Sequence, residues 1–288
     1  MPIPYRMLAA TCAVCLSLAG CITGGAGVAG PVANAELSAA EAPTYVDLVD
    51  LALAADTVAV VTITDQITLE PERAPDLASG MARLYIESAI TSLLTAPRVT
   101  GQNLAFLVDV PLEADGKPPK LKKRSVLVMG DLSAVRPGEL QLISSESMFP
   151  AGPTIEGRVR EILLQLTDAE VPPAITGVRD VISVPGNLAG ESETQMFVET
   201  ATGAPISLSV LRRPGQAATW GISLGEIVDA SAQVPQPGTL LWYRFACSLP
   251  RTLPASSYLQ TDSRSREQAR ADYAFVLQQL GPCERRLG

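Results

Sequence analysis

The one stretch with the spacing of a serine nucleophile is Gly221-Ile222-Ser223-Leu224-Gly225, where flanking glycines would let a sharp turn expose the hydroxyl. That chemistry needs a base to take the serine proton, and the chain contains no histidine. Lysine does not replace it, because Lys117, Lys120, Lys122 and Lys123 all fall in one segment and none has a serine three residues before it. The surrounding pattern predicts a hairpin strand, not a strand, turn and long helix, so the two glycines read as structural. Without histidine the chain also lacks Cys–His pairs, imidazole bases and most zinc sites, and neither cofactor nor metal is expected. Carboxylate chemistry stays open. Glu191 with Glu193, or Asp168 with Glu170, are close enough in sequence for an acid and a base, but each pair sits beside Gly or Pro in a predicted loop, where charges are usually solvated. Glu113-Ala114-Asp115-Gly116 lacks the further acidic ligands of a calcium loop and reads as a hairpin tip.

Charge sets a second constraint. The chain carries a formal −8, which repels polyanions and makes nucleic acid an unexpected partner. Against that background Lys117-Pro118-Pro119-Lys120-Leu121-Lys122-Lys123-Arg124 is a local basic cluster. It could meet anionic headgroups or an acidic partner, each charge near such a surface contributing about 1 kcal/mol. A solvated hairpin loop whose lysines protect a strand edge is the alternative.

The N-terminus has one basic residue, Arg6, then the apolar run Met7 to Ala19, too short for a membrane span and soon broken by Gly20, Gly24, Gly25, Gly27 and Gly30. It ends in Leu18-Ala19-Gly20-Cys21, which resembles the lipobox of bacterial lipoproteins. The resemblance implies cleavage before Cys21 and acylation of that residue. Several acyl chains at about 0.8 kcal/mol per methylene would make a lasting anchor. With Ile22 rather than aspartate after the cysteine, it also implies an outer-membrane protein facing the periplasm. Ala33-Asn34-Ala35 offers the alternative of an ordinary peptidase site and a soluble periplasmic product. In an exported body the remaining cysteines, Cys247 and Cys283, suggest one disulfide, with two separately buried thiols as the alternative.

The elements that would position these residues follow from periodicity. Residues 1–20 read as the leader and 21–43 as a Gly/Ala-rich tether with an end-to-end distance of roughly 25 Å. A β-rich domain is predicted over 44–170. Thr44-x-x-Asp47 caps a short helix, and strands follow at Thr57–Thr64, Ala82–Ala89, Leu104–Val110, Ser125–Met129 and Glu139–Ile143, with turns at Asp115-Gly116 and Pro137-Gly138. Their number and spacing resemble an OB-type barrel. Thr154 then caps a helix with the stripe Ile155, Val159, Ile162, Leu163 and Leu166. A second domain over 171–288 begins with strands at Val178–Val184, Thr194–Thr200, Ile206–Leu211 and Thr219–Leu224. Two helices complete it, Thr239–Leu249 and one capped by Ser265-x-x-Gln268, with Cys247 and Cys283 stapling them.

The expectation is therefore an α+β, β-rich chain: a curled sheet or small barrel, then an antiparallel meander packed on C-terminal helices. Its expected role is noncatalytic binding or assembly in the cell envelope, with the membrane and an envelope protein as partners. A cell-wall hydrolase using carboxylates is the alternative.

Overall fold

The computed structural model describes residues 42–98, 100–225 and 232–287. Its first element is α1 (Tyr45–Ala54), capped as the sequence predicts. The Asp47 N–H donates to Thr44 Oγ1 at 3.0 Å, while the Thr44 N–H donates to the Asp47 carboxylate at 2.8 Å. Two of the helix's orphan donors are thereby satisfied reciprocally.

Six strands follow: β1 (Thr57–Thr68), β2 (Met81–Thr95), β3 (Asn103–Pro111), β4 (Ser125–Leu132), β5 (Leu140–Leu142) and β6 (Met148–Pro150). They form one antiparallel sheet in the order β3-β2-β1-β4-β5, with β6 also on β4. β1 is apolar at almost every position of its first half because both of its faces are buried. Ala59, Val61 and Ile63 join a cluster with Leu84, Ile86, Phe106 and Val128, whereas Val58 and Val60 join a second cluster with α1. β4 divides in the same way, Val126 and Val128 to the first cluster, Leu127 and Met129 to the second.

This sheet curls until its outer strands approach. The Ala105 N–H on β3 donates to Gly138 O at 2.8 Å, beside a lone parallel bridge between Ala105 and Glu139. Apart from that bridge the sheet is open, so of the two expected forms it takes the curled one.

Gly130 lets β5 lie this close to β4. A Cβ there would press into the Gln141 carbonyl, whose carbon would stand 2.9 Å away, and would reach the Leu140 side chain at 3.0 Å. Overpacking of this kind costs about 1–3 kcal/mol. Gly157, in the second helix, has open space around its Cβ position, and alanine there should stabilise by about 0.5–1 kcal/mol. Urea unfolding should therefore move in opposite directions for Gly130→Ala and Gly157→Ala. Equal midpoints for the two variants would refute the steric account of Gly130.

α2 (Pro153–Thr167) carries the predicted stripe, with Val159 and Ile162 fully buried. Its start corrects the sequence reading. Gly152 is the N-cap, without a side-chain bond, and Thr154 lies inside the first turn. Pro153 decides this, since its fixed φ and missing N–H suit the first helical position. The connection after α2 contains the 170/171 division and leads to β7 (Ile175–Pro185), β8 (Ser192–Thr200), β9 (Ile206–Arg212) and β10 (Thr219–Ser223). These make the expected antiparallel meander, ordered β10-β9-β8-β7.

α3 (Leu240–Ser248) and α4 (Ser263–Leu280) close the fold. α4 starts earlier than the Ser265 box predicts. Asp262 is its N-cap and accepts the Ser265 N–H at 2.8 Å, an anion at the positive end of the helix dipole. Contacts run from β4 through α1, α2 and α3 to α4 and β7. Accordingly Val58 and Met129 of the first sheet share one core cluster with Phe245, Val276, Met196 and Leu208.

Candidate functional site

A groove of about 1020 Å³ lies on the outside of the curled sheet, between β3 and the β4–β5 connection. Strand alternation builds its first wall. Ile67, Tyr85 and Leu107 are cross-strand partners on β1, β2 and β3, a transverse row on the face opposite the sheet's inner core. Ile67 is 54% exposed and Leu107 48%. The row thus sets a half-buried aromatic ring between two exposed aliphatic side chains.

Beside this row Arg83 is fixed from two directions. Its Nε and Nη2 donate to the two carboxylate oxygens of Asp109 on β3, at 2.7 and 2.8 Å. Its Nη1 donates to Asp76 in the β1–β2 loop at 2.9 Å. The planar fork of arginine suits this bidentate geometry. The guanidinium's hydrogen bond, then a backbone N–H of Asp76 itself, then the arginine charge hold the Asp76 carboxyl below its usual range.

The second wall is the β4–β5 loop, tied down by Arg98, whose Nη2 donates to the carbonyls of Leu132 and Ser133 at 2.8 and 2.7 Å. In the same loop Arg136 pairs with Glu139 at 2.8 Å, and at the end of β4 Asp131 accepts the Asp56 N–H at 3.0 Å. The acidic groups lining the groove are thus each held by a neighbour: Asp109 by Arg83, Glu139 by Arg136 and Asp131 by Asp56. Val135, in the same loop, is 87% exposed. Together these features give a walled, amphipathic trough.

The residues singled out from sequence lie elsewhere. Gly221 and Ser223 are in β10, and the Ile222 and Gln233 backbones bond each other reciprocally at 3.1 and 3.2 Å. Gly221 is small because Ala232 approaches it: an added Cβ would meet the Ala232 side chain at 2.7 Å. This is the close backbone approach expected of a strand glycine. Glu193 bonds Gln195 at 2.8 Å, Asp168 accepts the Glu170 N–H at 2.9 Å, and Glu191 accepts the Leu188 N–H at 3.2 Å, so each is occupied in local loop or strand geometry. Among the described residues no cluster of His, Cys, Asp and Glu could hold a metal ion.

The basic loop sits at the end of β1 remote from α1. Lys123 takes a positive φ of 70°, and its N–H donates to Ile63 O at 2.8 Å. Gln66 secures the loop further, its Oε1 accepting the Leu121 N–H at 2.6 Å and its Nε2 donating to Pro119 O at 3.0 Å. Leu121 itself is buried in the inner cluster. Lys122 pairs with Asp65 at 3.1 Å and Lys117 with Asp115 at 3.8 Å, leaving Lys120 and Lys123 exposed without an ion pair among the described residues. Cys247 on α3 and Cys283 just after α4 are joined as a disulfide, Cα atoms 5.1 Å apart. Cys21 lies outside the described residues, and among those described no helix is long and apolar enough to cross a membrane.

Sequence reasoning missed the groove, although one signal points to it. In β3, Leu104, Phe106, Val108 and Val110 alternate inward, and Leu107 breaks the alternation with an apolar side chain on the face that should be polar. No protein-family model matches the chain, and no curated protein matches its sequence.

Proposed function

We propose that this chain is a noncatalytic binding module of the cell envelope. Acyl chains on Cys21 hold it to the outer membrane, and its groove faces a periplasmic partner. The observation that carries the binding role is the open Ile67–Tyr85–Leu107 row inside a walled trough. Its carboxylates are already engaged, which suits recognition better than proton transfer. The strand order adds support. A five-strand path β3-β2-β1-β4-β5 with β5 returning beside β3 resembles an OB-type barrel, whose ligands lie across strands 2 and 3 between the first and fourth loops. The trough occupies the same strands and loops here. The Leu18-Ala19-Gly20-Cys21 sequence supports the anchor.

One experiment tests both halves of this reading. A photo-crosslinking amino acid is placed at Leu107 or, as a control, at Leu164, an exposed position on α2. The cells are grown with a labelled fatty acid. The expected result is a discrete adduct from position 107 alone, on a chain that carries label lost in Cys21→Ser. Identical adduct patterns from the two positions would remove the groove as the binding site, and label persisting in Cys21→Ser would remove the anchor.

A further inference from the structure

Backbone hydrogen bonding along β3 alternates sides, and the pattern can be read from its two ends. The Leu112 N–H donates to Gly80 O at 2.9 Å and the Ile90 N–H to Gln102 O at 2.8 Å. With Met81 opposite Pro111 and Ala89 opposite Asn103, the even-numbered residues of β3 are those that bond β2. The odd-numbered residues turn their N–H and C=O groups the other way. Ala105 shows this directly, since its N–H reaches across to Gly138. Two and four residues further on, Leu107 and Asp109 present theirs to the groove, and neither N–H bonds another described residue.

The opposite side contributes one residue of this kind. On β5 the Glu139 carbonyl and the Ile143 N–H bond Ser133 and Met129 of the β4 side, so Leu142 between them turns its backbone away from β4. The groove is thus bounded by a β3 edge whose outward groups recur every second residue, about 6.6–6.8 Å apart, and by a β5 side that adds only Leu142, because the next residue of that parity, Ser144, donates its N–H to Ser147 Oγ. Natural sheets guard such edges with charge or proline. Pro111 guards only the end of this one, and the Asp109 carboxylate is drawn across to Arg83.

We infer that the groove takes an extended polypeptide segment, which adds as a strand to the β3 edge at Leu107 and Asp109 and bears apolar side chains at alternate positions. The inference rests on the groove being the binding site and narrows its ligand to a peptide. Spacing selects this class: an extended chain carries donors and acceptors at the strand repeat that the β3 edge presents at Leu107 and Asp109. The lining explains the alternation. Phe106, Val108 and Leu140 come from the inner apolar cluster, whereas Leu107, Asp109 and Gln141 belong to the outer face, so an inserted strand meets apolar surroundings on one side and mixed ones on the other.

The test uses the full chain and a fluorescein-labelled octapeptide, Lys-Thr-Val-Thr-Val-Thr-Val-Lys. The peptide is expected to bind in fluorescence anisotropy. Leu107→Pro, which removes an N–H outside the β2 ladder, should weaken binding about tenfold, and Leu107→Ala, which keeps that N–H, should weaken it less. Amide exchange on the wild type gives a readout independent of any variant. Leu107 and Asp109 should exchange fast in the free protein, Phe106 and Val108 slowly, and the peptide should protect the first two. Absence of peptide binding, equal affinity for Leu107→Pro and the wild type, or Leu107 and Asp109 amides already protected without peptide would each overturn the inference. If crosslinking at 107 stays position-specific while the peptide does not bind, only the peptide assignment fails. If both fail, the binding site itself is wrong.

Discussion

Replacing Arg212 by alanine is expected to destabilise the protein by about 3–5 kcal/mol, the range found when a buried ion pair loses one member. The cause is Asp272 on α4, whose side chain has no exposure to solvent. Its carboxylate accepts from Arg212 Nε and Thr194 Oγ1, both at 2.5 Å, and from Gln268 Nε2 at 3.0 Å. Thr194 also lies 2.9 Å from the Ser183 hydroxyl, so the network runs from α4 through β9 and β8 to β7. Arg212 is one-third exposed and returns to water when the pair breaks. The carboxylate cannot, and the penalty falls on it. Replacing both partners with apolar residues, Arg212→Met with Asp272→Leu, should therefore recover much of the loss, because no charge is left stranded. Urea unfolding of the two single variants and the double gives the coupling directly. A double variant whose loss equals the sum of the single losses would show that the two side chains act independently.

The parts of the fold that could be read from sequence are those set by neighbours in the chain. The α1 capping box, the four-strand meander and the α3–α4 staple each rest on spacings of a few residues or on a pair of cysteines. The misplaced helix starts have local causes too. Asp262-x-x-Ser265 and Ser265-x-x-Gln268 both fit a cap, and the charged residue won by stabilising the helix dipole. The three-residue β6 was invisible because it has no periodicity of its own and exists only as a partner of β4. The groove needed still more. Leu107 can be seen as an anomaly in its own strand, but the free edge beside it depends on β5 meeting β3 once, at Glu139, and then diverging. That divergence lies in strand pairing some thirty residues apart, and no window of sequence contains it.

Removing the disulfide with Cys247→Ser and Cys283→Ser is expected to lower stability by about 3–4 kcal/mol, on the chain-entropy estimate for cysteines 36 residues apart. For a body of this size that corresponds to a fall in Tm of roughly 10 °C. The tail it holds has attachments of its own, which separate entropy from contact. The N–H groups of Arg286 and Leu287 donate to Asp47 at 3.0 and 3.2 Å, and Thr44 Oγ1 donates to Glu284 O at 3.0 Å. Asp50 takes Arg285 at 2.6 Å and the Tyr243 hydroxyl at 2.5 Å. Burial first, and this carboxylate second, push the Tyr243 phenol up to about 12. Asp47 is buried, so losing the tail strips donors from a carboxylate that cannot reach water. Deleting residues 282–288 should consequently cost more than the double serine variant, which keeps those bonds. Thermal unfolding with and without reductant, beside the truncated chain, measures both quantities. If truncation and serine substitution cost the same, the tail contributes only its cross-link; if reduction leaves Tm unchanged, the cross-link contributes nothing and the Asp47 and Asp50 contacts hold the tail alone.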